Sequence, residues 1–172
     1  MKNELQQSDA LYRFADGLLQ QEPDASTPER RQKLETWLSF QLEDETFGLP
    51  VTHVQEVVRV GSVSRVPEAP AAIRGVTNLR GRVVPVIDLR VRLWMTAATV
   101  TDRSRLLVAS ARGRIFALLV DEARHVVRID RLAAQPPPAA VLTSAVDYVL
   151  GMIPAGDALI FLLDVEKVLI VS

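Results

Sequence analysis

The sequence contains no cysteine, only two histidines and few aromatic residues. The lack of cysteine excludes disulfides, thiolate zinc sites and a cysteine nucleophile, and it is typical of a reducing compartment such as the cytoplasm. His53 and His125 lie far apart in the sequence, and neither has a second ligand-type residue at metal-binding spacing. We therefore expect structural roles for both histidines, and no metal or cofactor.

Long apolar runs and an excess of one charge are also missing. No stretch approaches the ~20 apolar residues that span a bilayer. Asp9, Arg13 and Asp16 interrupt the start of the chain, so we expect no signal peptide and no direct insertion into a membrane. Residues 36–172 carry 15 basic and 14 acidic side chains, a balance that argues against nucleic-acid binding. A small-barrel nucleic-acid-binding protein, which would need a basic stripe and exposed aromatic residues, is a remote alternative.

Catalytic motifs are absent as well. The chain has no GxxxxGK(S/T), strand-linked GxGxxG, HExxH or GxSxG pattern. Its adjacent carboxylates, at positions 43–45 and 121–122, occur in or beside predicted turns. Neighbouring strand residues point to opposite faces, so these carboxylates form no acid–base pair. We expect solvated turn residues there, and a protein that is not an enzyme.

The first 35 residues differ in pattern from the rest. Ser8 is placed to cap a helix from Asp9 to Gln21, and one face of that helix is apolar. The face consists of Leu11, Phe14, Ala15, Leu18 and Leu19. A polar linker with two prolines follows. Residues 1–35 are therefore predicted to be an extension whose apolar face docks a second partner or the protein's own fold; a weakly held tail is the alternative.

From Thr36 to the end of the chain, apolar residues recur with the period of two that is typical of β-strands. The pattern predicts hairpins around residues 43–45 and at Arg112-Gly113, and further strands over 82–87, 126–129 and 158–163. Pro85 indicates an edge strand or a bulge, and Asp164 is placed to cap a short final helix. Many short strands with few helices predict a mainly β fold of two small barrels of about five strands each.

One polar tip, residues 78–82, lies between Gly75 and an apolar strand. Glycines on both sides of the tip favour a tight turn from which Arg80 projects. A rigidly held arginine is a good anchor for a protein partner. The alternative is an ordinary surface arginine that pairs with Glu56 or Asp88.

Several blocks in this part of the chain closely resemble the CheW family. The most specific are residues 75–81, Gly-Val-Thr-Asn-Leu-Arg-Gly, and residues 84–90, Val-Pro-Val-Ile-Asp-Leu-Arg. Blocks at 40–49, 54–57 and 66–70 agree in order and spacing, and the segments 117–121, 148–151 and 162–169 agree more loosely. The resemblance covers about residues 36–170.

The resemblance implies two SH3-like barrels packed over a shared apolar interface, within a CheW-like domain of residues 36–172. It also implies a non-catalytic scaffold that couples chemoreceptors to a CheA-type histidine kinase. Such a scaffold binds the regulatory domain of the kinase and holds the cytoplasmic tip of the receptors in a groove between the barrels. The protein would then be cytoplasmic and reach membrane receptor arrays through its partners.

Site residues follow from the same resemblance. Val54, Glu56 and Arg80 match family positions that contact partners, and Val57 is expected to add an apolar contact beside them. Four further residues are expected to shape the turn that presents Arg80: Gly75, Asn78, Gly81 and Asp88. An adaptor of a different array, in pilus-based motility or second-messenger signalling, remains an alternative.

Overall fold

The computed structural model describes residues 34–138 and 145–171. The predicted N-terminal helix and its linker lie outside these residues. Ten strands are present in the described part of the chain. They are β1 (Leu34–Leu42), β2 (Glu45–Pro50), β3 (Val54–Arg59), β4 (Ile73–Leu79), β5 (Arg82–Asp88), β6 (Arg105–Ala111), β7 (Arg114–Val120), β8 (Glu122–Asp130), β9 (Val149–Ala155) and β10 (Ala158–Leu163).

One of the two units, which we call barrel two, is continuous in sequence. It contains β3 to β7, in the sheet order β3-β6-β7-β5-β4. The pairs β3–β6, β6–β7 and β4–β5 are antiparallel, and β5–β7 is parallel. The chain after β3 returns to the far edge of the sheet, where Ser64 and Val76 exchange two backbone hydrogen bonds of 2.8 Å. This exchange joins the two edges and closes the barrel.

Barrel one is assembled from both ends of the described chain. Its sheet order is β8-β1-β2-β10-β9, with β2 and β10 parallel and the other pairs antiparallel. Gln135 and Met152 form the closing bridge here. The structure confirms the predicted fold class, which is mainly β with two five-stranded units.

The two barrels are circularly permuted copies of one plan. The run β3-β4-β5-β6-β7 in barrel two corresponds to β8-β9-β10-β1-β2 in barrel one. Gly75 and Gly151 occupy equivalent positions, and so do Val76 and Met152, which make the two closing bridges. The sequence pattern alone did not reveal this duplication, because equivalent strands differ in most of their side chains.

Strand alternation divides the apolar residues among three cores. Leu107 and Leu118 belong to a large core that contains residues of both barrels. Leu106 and Leu119, one position away on the same strands, face a smaller core inside barrel two. Trp37 belongs to the corresponding core inside barrel one. The shared core holds the barrels together, because separating them would expose buried apolar surface.

Two short helices follow the parallel strands. Helix α1 (Leu89–Arg92) begins after Asp88, and helix α2 (Val165–Leu169) begins after Asp164. The Asp164 carboxylate accepts a hydrogen bond from the backbone N–H of Lys167 at 3.3 Å, which confirms the predicted cap. None of the helices in the described residues is long and apolar enough to cross a membrane.

Of the two positions predicted for Pro85, the edge strand is wrong, whereas the ladder between β4 and β5 does have a bulge between Ile73 and Gly75, next to the pair Val76–Pro85. The strand of Pro85, β5, lies inside the sheet between β4 and β7. The proline is tolerated because the parallel ladder with β7 covers only Val86 to Asp88, so Pro85 lies just outside it. Two strands, β4 and β9, were not anticipated; both contain a glycine.

Candidate partner-binding surface

Arg80 stands at the tip of the hairpin between β4 and β5. Its φ is 52° and that of Gly81 is 81°, the two positive values that a type I′ turn requires. The Asn78 side chain accepts a hydrogen bond of 2.8 Å from the Gly81 backbone N–H. An arginine with positive φ is held there at some cost in conformational energy.

Arg80 pairs with Glu56 across the barrel seam. An Arg80 Nη atom lies 2.9 Å from a carboxylate oxygen of Glu56. These residues come from opposite edges of the sheet, and closure of the barrel brings them together. The Arg80 side chain is 84% exposed and that of Glu56 27%. The pairing that was the alternative to a partner contact is therefore present, but it leaves most of the guanidinium accessible to a partner.

Val54 and Val57 lie on the same strand as Glu56, but their environments differ. Val54 is partly buried against the core that both barrels share, close to the chain crossing from barrel one. Val57 is 41% exposed. Of the two, only Val57 offers a largely accessible apolar contact beside the Arg80–Glu56 pair. A groove between the barrels at this place stays a prediction.

Gly75 does not shape the Arg80 turn. It lies within β4, where a Cβ atom would come 2.2 Å from the Ser64 carbonyl oxygen. Its φ of 154° is also one that L side chains rarely adopt. Glycine is required here because two backbones meet at the closing bridge, and the expected turn role is wrong.

Asp88 is likewise remote from the Arg80 turn. Its buried carboxylate accepts hydrogen bonds from the backbone N–H groups of Arg90 (3.1 Å) and Ala98 (3.0 Å). It also forms an ion pair of 3.2 Å with Arg74. Asp88 therefore caps α1 and fixes the loop that follows, and it takes no part in the turn.

The junction between the barrels carries a charged network that was not foreseen. Both oxygens of Asp121 accept from Arg90 Nε, at 2.9 and 3.0 Å. Arg90 also reaches Glu43, on the β1–β2 turn, at 3.3 Å. The hydrogen bonds that Arg90 donates to Asp121 are the main cause of its raised pKa. Glu43 and Asp121, expected to be solvated, thus link α1 of barrel two to barrel one.

A partial signal for this network was present in the sequence, because the basic run from Asp88 to Arg92 stands out. The partners of Arg90 come from distant turns, and nothing in the local sequence pattern indicated that these turns meet.

The two histidines have hydrogen bonds within the fold, and the carboxylate of Glu45 is buried. His53 Nδ1 lies 3.0 Å from the Ser110 carbonyl oxygen, and the His125 backbone bonds to the Ser39 hydroxyl. No group of metal-ligating side chains occurs within residues 34–138 and 145–171. Burial, with added repulsion from Glu43 and Asp44, raises the pKa of Glu45. One Glu45 carboxylate oxygen is buried without a hydrogen-bond partner among the described residues.

Comparison with known proteins decides the family. The family model described as the CheW-like domain matches residues 36–171. The chain belongs to the CheW family. A chemotaxis protein CheW of Klebsiella aerogenes is 32% identical over 133 residues, covering 77% of this chain and 80% of the relative. Protein FrzA of Myxococcus xanthus is 30% identical over 134 residues, covering 78% and 83%.

A solved CheW structure agrees with the fold. The crystal structure of the scaffolding protein TtCheW from Thermoanaerobacter tengcongensis superposes with a TM-score of 0.72 at 32% identity, covering 81% of this chain and 90% of that one. Together these relationships make the chain a non-catalytic chemotaxis adaptor of the CheW family.

Proposed function

We propose that this CheW-family adaptor couples chemoreceptors to a CheA-type histidine kinase, and that the β3 edge with the Arg80 tip contacts a partner. The observation that supports this most is Arg80 itself, a strained and largely exposed arginine presented by a rigid hairpin. The adaptor would act in the cytoplasm and reach receptor arrays through its partners.

The chemistry of the surface fits a helical receptor tip. A helical hairpin docks through apolar side chains flanked by a few fixed polar anchors. Val57 supplies an exposed apolar side chain, and Arg80 supplies a planar fork of donors whose position Glu56 restricts. Restricting the arginine before binding lowers the entropy lost on association. Coupling then requires that these contacts differ between two receptor states.

The test is a titration of two partners with Arg80→Glu. Partner one is a receptor-tip hairpin, and partner two is the regulatory domain of a CheA-type kinase. We expect binding of the receptor tip to weaken roughly thirtyfold, which corresponds to about 2 kcal/mol at a hot spot. Folding is expected to remain normal, because exposed ion pairs contribute about 0–1 kcal/mol.

A matched control is Arg103→Glu, since Arg103 is also exposed and also pairs with a glutamate, Glu122, at 3.0 Å. The control should bind both partners like the native chain. The charge swap Arg80→Glu with Glu56→Arg separates the two roles of the arginine. If the swapped variant regained binding, the pair between positions 56 and 80 would be what binding requires, and a direct contact of the arginine with the partner would not be needed. If Arg80→Glu bound both partners as tightly as the native chain does, the assignment of Arg80 to the binding surface would be rejected.

A second candidate is an adaptor of a different array, as in pilus-based motility or second-messenger signalling. This candidate is supported by the similarity to FrzA, a family relative whose name differs from that of the chemotaxis proteins CheW. A deletion strain distinguishes the candidates, because loss of directed swimming supports the first and loss of surface motility alone supports the second.

A further inference from the structure

Barrel one carries a groove with an apolar lining. Its volume is about 780 Å³, and its apolar lining residues are Leu34, Leu132, Ala134, Leu150 and Leu162. Leu132 is 80% exposed and Leu150 is 41% exposed. Glu35 and Arg131 add one charge of each sign. Grooves of this kind accept the apolar face of an amphipathic helix.

The corresponding place in barrel two is covered by its own chain. The segment between α1 and β6 folds back over the barrel, and Ala98 belongs to the same buried cluster as Val84, Val86 and Leu106. Ala98 is fixed there by hydrogen bonds between its two backbone groups and the side chains of Asp88 and Arg74. Its N–H donates to Asp88 at 3.0 Å, and its carbonyl accepts from Arg74 at 2.6 Å.

The duplication identifies the equivalent segment of barrel one. Strand β1 corresponds to β6, so the chain that leads into β1 corresponds to the segment that carries Ala98. In the core of barrel one, Trp37 takes the place of Leu106, and Leu162 that of Val86. Leu162 also lines the groove, and so does Leu34, the first described residue. The N-terminal extension therefore joins barrel one at the groove itself.

We propose that the N-terminal extension binds in this groove of its own barrel. The apolar face predicted from the sequence would lie against Leu132 and Leu150; it comprises Leu11, Phe14, Ala15, Leu18 and Leu19. Residues 20–33 are long enough to permit this, because an extended chain spans about 3.3 Å per residue. A short tether gives an effective concentration on the order of millimolar, so even a weak contact is populated.

The test uses the full chain, which has no cysteine of its own. A nitroxide is attached at Gln20→Cys, and the leucine and valine methyl groups are isotope-labelled. We expect strong paramagnetic broadening of the Leu150 methyl signals. Val83 is the reference methyl group, because it is exposed and belongs to barrel two, and its signals should change little.

Two variants probe the contact from either side. Leu18→Asp changes the extension, and Leu132→Asp changes an exposed groove residue whose replacement should not unfold the barrel. Each should lower the equilibrium constant of the contact by at least about tenfold, since burial of one leucine contributes about 1.5–3 kcal/mol, and the paramagnetic broadening at Leu150 should fall with the bound population. The matched control is Val83→Asp, an equally polar change at an exposed residue elsewhere, which should leave the broadening unchanged.

A mixed sample identifies the occupant of the groove. There the nitroxide is on one set of molecules and the isotope on another. Broadening confined to the doubly labelled chain supports the proposal, whereas broadening in the mixed sample means that a second copy fills the groove. Absence of broadening at Leu150, or broadening that persists in Leu132→Asp, would also overturn it. None of these outcomes depends on Arg80, so the proposed function is tested separately.

Discussion

The guanidinium carbon of Arg92 lies 4.6 Å from the ring centroid of Tyr148, and one of its nitrogens donates to the Tyr148 hydroxyl at 2.8 Å. Arg92 comes from α1 of barrel two. It also donates to the carbonyl oxygens of Lys167 (2.7 Å), Val168 (2.9 Å) and Ile170 at the end of α2. A single side chain thus joins the two barrels and satisfies the carbonyls of a helix terminus.

Replacement of Arg92 by Ala should lower the free energy of unfolding by about 2 kcal/mol, because several charge-assisted hydrogen bonds are lost together. Arg92→Lys should recover little, since a lysine lacks the planar fork. Tyr148→Phe keeps the ring contact and should cost less than about 1 kcal/mol. Urea unfolding measures all three. A lysine variant as stable as the native chain would contradict this account.

Three of the glycines in the β4–β5 and β9–β10 hairpins should respond differently to alanine. Gly75→Ala places a Cβ atom 2.2 Å from backbone, so we expect a loss of about 3 kcal/mol or more. At Gly151 the nearest contacts are 3.1 Å, and about 1 kcal/mol is expected. Gly81 has open space but a φ of 81°, which predicts about 1 kcal/mol from strain alone.

Thermal or urea unfolding gives the order of these losses. If Gly75→Ala were no more destabilising than Gly81→Ala, the close approach of the Ser64 backbone would not be what requires glycine in β4.

The strands that were predicted from the sequence have uninterrupted local patterns, and the strands that were not predicted do not. The run 158–163 and the hairpin at Arg112-Gly113 were predicted, because their apolar patterns are local and their turn residues suit positive φ. Strands β4 and β9 were missed because a glycine interrupts each pattern. Those glycines serve a contact with a segment that is distant in sequence, and local periodicity contains no information about it.

The same limit applies to the candidate surface. The position of Arg80 at the tip of a turn followed from flanking residues, and Asn78 bonds within that turn. The role of Asp88 was misjudged because its partners, Arg74 and Ala98, become neighbours only after the barrel closes. Arg90 and Asp121 meet for the same reason. Single-sequence reasoning therefore reached the residues of one hairpin and the pair of Arg80 with Glu56, but it failed for the contacts of Asp88, Arg90 and Asp121 with other elements.

Glu45 should make stability depend on pH. Its pKa in the folded protein is raised above that of an ordinary glutamate, first by burial and then by Glu43 and Asp44. Between the unfolded and the folded pKa, the native state binds more protons than the unfolded state, so this group makes stability fall as pH rises through that window. Above the window the buried charge opposes folding in full.

Glu45→Gln should therefore be more stable than the native chain at pH 7, and the difference should vanish below the pKa that a glutamate has in the unfolded chain. Asp44→Asn is the control: it removes only a neighbouring charge and should give a smaller gain. Unfolding midpoints measured across the acid range test both. A glutamine variant that is less stable at pH 7 would show that the carboxylate is favourably solvated after all.

Arg80→Asn should separate stability from binding. Asparagine before glycine is a preferred pair in a type I′ turn, whereas an arginine with a φ of 52° is strained by about 1–2 kcal/mol. The lost pair with Glu56 is exposed and contributes about 0–1 kcal/mol. The variant should therefore be as stable as the native chain or more stable, yet bind the receptor tip less well.

Arg112→Asn is the matched control, because Arg112 occupies the same position of an equivalent Arg-Gly turn, with a φ of 50°. It also pairs with a glutamate, Glu166 of α2, but it lies on the β6–β7 hairpin and not on the hairpin that presents Arg80. We expect Arg112→Asn to gain a similar amount of stability from relief of the turn strain and to bind the partner unchanged. If both asparagine variants bound the receptor tip like the native chain, the strain at Arg80 would have no role in recognition.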